Sequence, residues 1–265
     1  MREALDLARQ GRGLASPNPM VGAVVIASDG RRLGSGYHTY DGRRHAEVIA
    51  LEGAGEAARG GTLYCNLEPC NHEGRTPPCT EAILRSQVRK VAIACRDEDP
   101  RVPGQGLERL QAAGIEVEVA EEFTTEARRL NEAFFHYART SRPLLTLKTA
   151  VTLDGKIAAP DDNTGWITSA VARAHVHQVR HDHDAILTGI GTVLADDCLL
   201  TDRSGLPRRL PLLRVVADSL LRLPIESRLV ESFNEDLVVM TTSAAPAGRR
   251  SALEACRGGG SRHNN

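Results

Sequence analysis

Short apolar runs alternate with amphipathic helical patterns through the first 140 residues of the chain. The apolar, β-branched run at 21–27 is typical of a buried strand, and Asp29-Gly30 behind it is a hairpin turn signal. The patterns predict helices over 2–10, 45–56, 78–86, 107–113 and 122–139, and strands over 21–27, 33–37, 62–67, 88–94 and 115–119. This alternation predicts a layered α/β domain with helices on both faces of one sheet.

A short segment at 140–143, Thr-Ser-Arg-Pro, is predicted to link this domain to a second α/β stretch. Beyond it we expect strands over 144–151, 185–187, 213–217 and 237–241, and a helix over 170–182. The sequence therefore predicts two domains, at 1–140 and 144–243. Residues 244–265 end in Arg-Gly-Gly-Gly-Ser-Arg-His-Asn-Asn, which has no apolar face to bury, and we expect them to form a flexible tail.

The charged residues nearly cancel, with 33 Lys and Arg against 34 Asp and Glu. Nucleic-acid-binding proteins usually carry a basic stripe, and the aromatic residues that stack on bases make up only 3% of this chain. No apolar run reaches the roughly 18 residues of a membrane span, and the N-terminus lacks the apolar core of a signal peptide. The composition favours a cytoplasmic protein that acts on a small molecule, without nucleic-acid or membrane partners; it leaves a homo-oligomer open.

Candidate metal ligands stand near the starts of two predicted helices. His45 opens the motif His-Ala-Glu, Cys70 follows Pro69 soon after a predicted strand, and Cys79 comes nine residues later. One His and two Cys supply the three protein ligands of a catalytic zinc site, whose fourth position is left to water, whereas a structural site has four. A helix N-terminus also stabilises the thiolate that binds zinc.

Glu47 is the candidate proton carrier. It lies two residues after His45, so on a helix the two side chains point in different directions and Glu47 can face the water without binding the metal. Zinc lowers the pKa of a bound water to about 7. Glu47 can then take its proton and deliver it to a ring nitrogen and to the departing ammonia.

His-x-Glu followed by Pro-Cys-x-x-Cys is the signature of zinc nucleobase deaminases. Here eight residues separate the two cysteines, and they include His72 and Arg75. A guanidinium binds phosphate in a bidentate manner, so this loop suits a phosphorylated substrate, although a solvated surface arginine is an equally ordinary interpretation. Two alternatives stay open: another nucleoside or nucleobase deaminase, and a structural zinc module with Cys65 or His72 as fourth ligand.

The segments at 16–22, 45–47 and 68–79 resemble the bifunctional deaminase–reductase family of riboflavin biosynthesis, as does Asp97-Glu98-Asp99-Pro100 with Val102, Gly104 and Gly106. The resemblance covers residues 1 to 243. It implies a cytidine-deaminase-like three-layer α/β/α domain with one zinc ion. The family deaminates 2,5-diamino-6-ribosylamino-4(3H)-pyrimidinone 5′-phosphate and then reduces the ribosyl side chain of the product with NADPH.

The resemblance also implies site residues. Asn18, His38, His72 and Arg75 would recognise the deaminase substrate. The second half resembles the family's reductase domain, which has a dihydrofolate-reductase-like fold. Contacts with NADPH map onto Val151, Trp166, Thr192, Asp196 and Ser219, and contacts with the reductase substrate map onto Thr164, Arg180, Leu200 and Arg203.

The family's reductase domain continues further and there carries a Gly-rich turn that embraces the cofactor's phosphates. Gly258-Gly259-Gly260 has neither the strand before it nor the helix after it that such a fingerprint requires. We therefore expect a truncated reductase domain, whose unpaired edge is an aggregation hazard, and a chain that deaminates but reduces poorly or not at all.

Overall fold

The computed structural model describes residues 1–99, 105–157 and 167–256, and it divides the chain into two compact units, Met1–Lys148 and Thr149–Asn265. The boundary falls shortly after the predicted linker at 140–143. The first unit contains helices α1 (Arg2–Gln10), α2 (Ala46–Ala54), α3 (Cys79–Ser86), α4 (Gln105–Ala112), α5 (Thr124–Leu130) and α6 (Glu132–Thr140), and strands β1 (Gly22–Ile26), β2 (Arg32–Tyr37), β3 (Thr62–Leu67), β4 (Lys90–Cys95) and β5 (Glu116–Val119).

The five strands form one sheet in the order β2-β1-β3-β4-β5. Strand β1 runs antiparallel to β2 and β3, whereas β3, β4 and β5 are parallel. The central strands are mostly apolar and buried, and Val25, Leu63 and Val91 are fully buried. Ligand sites in such sheets lie beyond the carboxyl ends of the parallel strands, and here β3 ends just before Glu68-Pro69-Cys70.

Glycines in β1 and β2 let two helices lie directly on the sheet. A Cβ at Gly22 would come within 2.2 Å of the Ala4 carbonyl oxygen on α1, and a Cβ at Gly34 within 2.2 Å of the Ala50 carbonyl oxygen on α2. Gly34 is the register partner of Val25, which points to the face opposite that of Gly22. Helices therefore cover both faces, as the three-layer α/β/α prediction requires.

The second unit contains helices α7 (Ala170–His181), α8 (Ile190–Asp196), α9 (Arg228–Glu231) and α10 (Ala247–Cys256), and strands β6 (Ala185–Gly189), β7 (Leu213–Ala217) and β8 (Leu237–Met240). Its three strands are parallel, in the order β6-β7-β8. One face of this sheet packs on a small core around Val216 and Leu223, whereas the other face leaves Leu187 and Met240 more than half exposed. None of the helices seen in the described residues has the length and apolarity of a membrane span.

Three predictions about elements need correction. The strand predicted over 144–151 is wrong: no strand forms there, and the side chains of Leu145 and Leu147 are 86% and 90% exposed. The helix predicted over 122–139 is broken at Asn131 into α5 and α6. Helix α10 occupies much of the tail expected over 244–265, of which 257–265 lie outside the described residues.

Candidate metal centre

The three predicted zinc ligands meet at one edge of the first sheet. His45 immediately precedes α2, Cys70 lies just beyond β3, and Cys79 is the first residue of α3. The distance from His45 Nδ1 is 3.0 Å to Cys79 Sγ and 3.4 Å to Cys70 Sγ. All three candidate ligand atoms lie within 4.8 Å of one another, a spacing that suits a single metal ion.

Local hydrogen bonds favour a thiolate at Cys70. The pKa of the Cys70 thiol is lowered to about 4, chiefly by its hydrogen bond with Cys79 and then by that with His45. The backbone N–H of Cys79 also donates to Cys70 Sγ at 3.3 Å, and this N–H belongs to the first turn of α3. The start of a helix thus supplies positive potential where a thiolate is needed.

Glu47 lies in the first turn of α2 and is only 3% exposed. Burial raises the pKa of its carboxyl group, and the positive charge of His45 opposes part of this rise. Its Oε2 is buried and has no hydrogen-bond partner among the described residues. An unpaired buried carboxylate oxygen is costly unless something polar completes it. One nitrogen and two sulfur ligands beside such an oxygen fit zinc with an open position for water.

His38 and Asn18 form a hydrogen-bonded pair beside the metal ligands. His38 Nδ1 donates to the Arg44 carbonyl oxygen at 3.0 Å, so its Nε2 can accept from the Asn18 amide at 3.0 Å. Burial lowers the pKa of His38, which is only 3% exposed, and this favours the neutral ring that the two bonds require. The His38 and His45 rings meet edge to face, with centroids 5.4 Å apart. The structure therefore brings Asn18 and His38, two of the four predicted recognition residues, to the candidate metal centre.

His72 and Arg75 lie on the exposed loop between the two cysteines. The Arg75 guanidinium carbon lies 3.9 Å from the centroid of the Tyr40 ring, a cation–π contact that holds the side chain over the loop after β2. Tyr40 was not predicted, because neither its spacing nor its surroundings mark it. The pKa of Asp97 is raised, mainly by burial. His72 is near enough for its charge to oppose part of this rise.

Two buried asparagines, which sequence reasoning also missed, hold the segment after Asn18. Asn66 Oδ1 accepts from the Gly22 N–H at 2.8 Å, and its amide donates to the Met20 carbonyl oxygen at 3.0 Å. Asn131 accepts from the Met20 N–H at 2.8 Å and donates to the same carbonyl oxygen at 3.0 Å. These contacts fix the Asn18 loop against β3, and Asn131 itself lies at the break between α5 and α6.

In the second unit, the predicted reductase residues fall into two groups. Thr192 and Asp196 are exposed on α8, which follows β6, Ser219 is exposed just after β7, and Val151 is 48% exposed. Trp166 and Thr164 lie outside the described residues.

The second group surrounds the end of α7. Arg180 is half-buried and donates to the Thr201 carbonyl oxygen at 2.8 Å, and Leu200 is buried. Arg203 is exposed, and its backbone N–H donates to His177 Nδ1 at 3.2 Å. Burial is the main cause that lowers the pKa of Arg180, and the charge of Arg203 is the second. The two guanidinium groups therefore lie in the same region.

Comparison with known proteins covers both units. Residues 1–95 match the cytidine and deoxycytidylate deaminase zinc-binding region, and residues 143–261 match the RibD C-terminal domain. The riboflavin biosynthesis protein RibD of Aquifex aeolicus is 46% identical over 243 residues, which are 91% of this chain and 67% of that protein. RibD of Synechocystis is 44% identical over 254 residues, covering 96% of this chain and 68% of the relative.

Solved structures agree. Acinetobacter baumannii RibD superposes with a TM-score of 0.84 at 40% identity, over 96% of this chain and 70% of that chain. The diaminohydroxyphosphoribosylaminopyrimidine deaminase/5-amino-6-(5-phosphoribosylamino)uracil reductase of Thermotoga maritima superposes with a TM-score of 0.83 at 39% identity, over 96% of this chain and 76% of that chain. The chain, which spans about two thirds of the length of these relatives, therefore belongs to the RibD family of riboflavin-biosynthesis deaminase–reductases.

Proposed function

We propose that this chain removes, by hydrolysis, the amino group at position 2 of 2,5-diamino-6-ribosylamino-4(3H)-pyrimidinone 5′-phosphate. The observation that carries the proposal is the meeting of His45, Cys70 and Cys79 beside a buried Glu47 whose Oε2 has no partner among the described residues. The name of the Thermotoga maritima relative, a deaminase of this aminopyrimidine class, supports the choice of substrate.

The chemistry exchanges an amino group for an oxygen, consuming one water and releasing one ammonia. Zinc, when bound by the three ligands, acts as a Lewis acid that makes water nucleophilic near pH 7. Glu47 accepts a proton from the water as its oxygen adds to the carbon that bears the amino group, and delivers this proton to the adjacent ring nitrogen. It then moves the second proton to the departing amine. Its buried position and raised pKa suit a group that must both take and give a proton.

The surrounding residues orient the substrate. The Asn18 amide and the neutral His38 lie beside the ligands and present hydrogen-bonding groups in a largely water-excluded position. Arg75, in contact with the Tyr40 ring, would bind the phosphate from the exposed loop, which also carries His72. Binding the two ends of the substrate separately holds the ring in one orientation, which is a large part of rate enhancement.

The test compares two glutamates of α2. Glu47→Gln should lower kcat for ammonia release by about 100-fold or more, while the chain still binds about one zinc ion. Glu52→Gln is the matched control, because Glu52 is exposed on the same helix and, among the described residues, forms an ion pair with Arg44 at 2.6 Å. Full turnover by Glu47→Gln would favour the structural zinc alternative. Activity on free nucleosides but not on the phosphorylated pyrimidine would favour the other deaminase alternative.

For the second unit we propose that Val151, Thr192, Asp196 and Ser219 contact NADPH. Thr192 and Ser219 follow the carboxyl ends of β6 and β7, and ligands of parallel sheets bind beyond those ends. NADPH oxidation, followed in parallel with ammonia release, tests whether this unit also reduces the deaminated product. Steady NADPH consumption would support reduction by this unit, and its absence would count against the assignment.

A further inference from the structure

Helix α4 packs against the segment that carries Cys70, although the mechanism above assigns it no part. Glu68 lies two residues before Cys70, and Asn71 follows it directly. Both of these side chains accept hydrogen bonds from α4, so the helix contacts the chain on either side of a candidate metal ligand.

The first contact is made by Glu68, whose side chain is buried. Its Oε1 accepts from the backbone N–H groups of Gly106 and Leu107 at 3.2 and 3.4 Å, and its Oε2 accepts from the Asp97 N–H at 3.2 Å. The first N–H groups of a helix have no partner within the helix, so this carboxylate satisfies two of them. The start of α4 is thereby tied to the end of β3.

Gly106 allows the second close approach. A Cβ at this position would come within 2.1 Å of the Pro69 carbonyl oxygen, in the peptide that leads into Cys70. That distance is too short for any side chain, and the obstructing atom is backbone. Only glycine therefore lets α4 lie this close to the ligand-bearing segment.

The third contact reaches the loop from the other side. Asn71 Oδ1 accepts from Arg109 Nη1 and from Thr80 Oγ1, each at 2.9 Å. Thr80 is buried and directly follows Cys79. A single amide oxygen therefore connects α4 to the neighbours of both thiol ligands.

We propose that α4 sets the zinc affinity of the site, with Glu68, Gly106 and Arg109 as positioning residues that keep Cys70 at bonding distance from the other two ligands. The proposal rests on the zinc site proposed above and deepens it. Contacts that orient metal ligands are typically worth 10–100-fold in metal affinity. Arg109 and Gly106 lie more than thirty residues beyond Cys70, so no ligand motif includes them.

The test measures zinc affinity of the full chain by competition with a chromogenic chelator, together with the sulfur-to-metal absorption of the Co²⁺-substituted chain. Arg109→Met should weaken zinc binding by about 10–100-fold and alter the Co²⁺ spectrum. Asn71→Asp, which keeps an acceptor for both donors, should stay close to wild type. The double variant Asn71→Ala/Arg109→Met should bind zinc no more weakly than the weaker-binding single variant, because each change removes the same hydrogen bond between Arg109 and Asn71.

Two matched controls separate this role from general effects. Arg85→Met removes an exposed arginine that pairs with Glu81 at 3.6 Å, as the partly buried Arg109 does at 3.5 Å, and it should leave zinc affinity unchanged. Gly106→Ala should weaken zinc binding, whereas Gly53→Ala in α2, whose Cβ would meet only the Gly34 Cα at 3.7 Å, should not.

Wild-type zinc affinity and Co²⁺ spectrum in Arg109→Met would overturn the role of α4, and this variant decides the matter if Gly106→Ala does not fold. His45→Ala separates the two levels of the proposal. If it abolishes tight zinc binding while the α4 variants do not weaken it, only the positioning role fails. If it leaves zinc binding unchanged, the metal site itself is wrong and the inference falls with it.

Discussion

Replacing Asn66 by alanine should destabilise the first unit more than replacing Asn131, although both side chains bond to the same carbonyl oxygen of Met20. Asn66 is fully buried and lies at the end of β3, three residues before the Pro-Cys motif. Its partner Gly22 is also buried, in β1. Met20, by contrast, is only partly buried, and its bond to Asn131 is also partly buried, so we expect water to replace that bond when it is lost.

The magnitudes follow from which groups lose their partners. Asn66→Ala leaves the Gly22 N–H buried and unpaired, which costs about 1–3 kcal/mol. The Met20 carbonyl oxygen keeps its bond from Asn131, so little is added there, and the void left by the amide adds about 1 kcal/mol. The total is about 2–4 kcal/mol. Asn131 is also buried, so Asn131→Ala leaves a similar void worth about 1 kcal/mol. The Met20 N–H that it frees belongs to a residue that is only partly buried, so the total should be about 1–2 kcal/mol.

Urea unfolding of the full chain, followed by circular dichroism with and without zinc, measures these differences. The two units can unfold separately, and the transition that zinc moves to higher urea belongs to the first unit. Asn131→Ala is the built-in control. If it destabilises that transition as much as Asn66→Ala does, the reasoning from buried and accessible N–H groups is refuted.

Asn66→Asp tests the direction in which the stability of the first unit changes with pH. The carboxylate still accepts from Gly22 but cannot donate to Met20, and burial should raise its folded-state pKa above the ordinary value of about 3.9. The folded state then binds more protons than the unfolded state, so the stability lost at pH 7 should return as the pH falls towards that raised pKa. Recovery at higher pH instead would contradict this.

Three further predictions concern single side chains. Arg75→Met should raise KM for the phosphorylated pyrimidine by about tenfold or more with little change in kcat, because a charged hydrogen bond to the phosphate is lost; an unchanged KM in steady-state kinetics would contradict a phosphate role. Leu147→Ser should change the free energy of unfolding by less than about 0.5 kcal/mol but reduce self-association in light scattering, since this side chain is 90% exposed. Asp236→Ala should cost about 3 kcal/mol and lower the melting temperature of the second unit, because it leaves the buried Arg214 guanidinium, 2.6 Å from Asp236, without its counter-charge; an unchanged melting temperature would refute this.

Much of the first unit was predictable because its signals are local. The strand at 62–67 was predicted with the bounds that the structure gives, since an apolar run flanked by turn residues marks a buried strand. The metal triad was equally readable, because each ligand stands beside an element boundary: His45 and Cys79 at helix starts and Cys70 beyond a strand. Side chains at such boundaries are brought to one edge of a sheet by the fold class alone.

Contacts between distant segments were beyond the sequence. The stacking of Arg75 on Tyr40, the bonds from Asn66 and Asn131 to Met20, and the approach of α4 to Pro69 join residues far apart in the chain. Nothing in the spacing of an asparagine or a glycine shows which backbone group it will meet. Such pairings depend on how the layers pack, and that is a property of the tertiary structure.

The α/β layering of this protein and its three candidate metal ligands could be predicted from the sequence, because periodicity and residue chemistry act within a few residues. The sequence did not determine whether residues 144–151 form a strand. Their apolar pattern suits one, yet a strand exists only when another strand pairs with it, and within the described residues β6, β7 and β8 pair among themselves alone. Which segments find such a partner depends on how the whole chain packs.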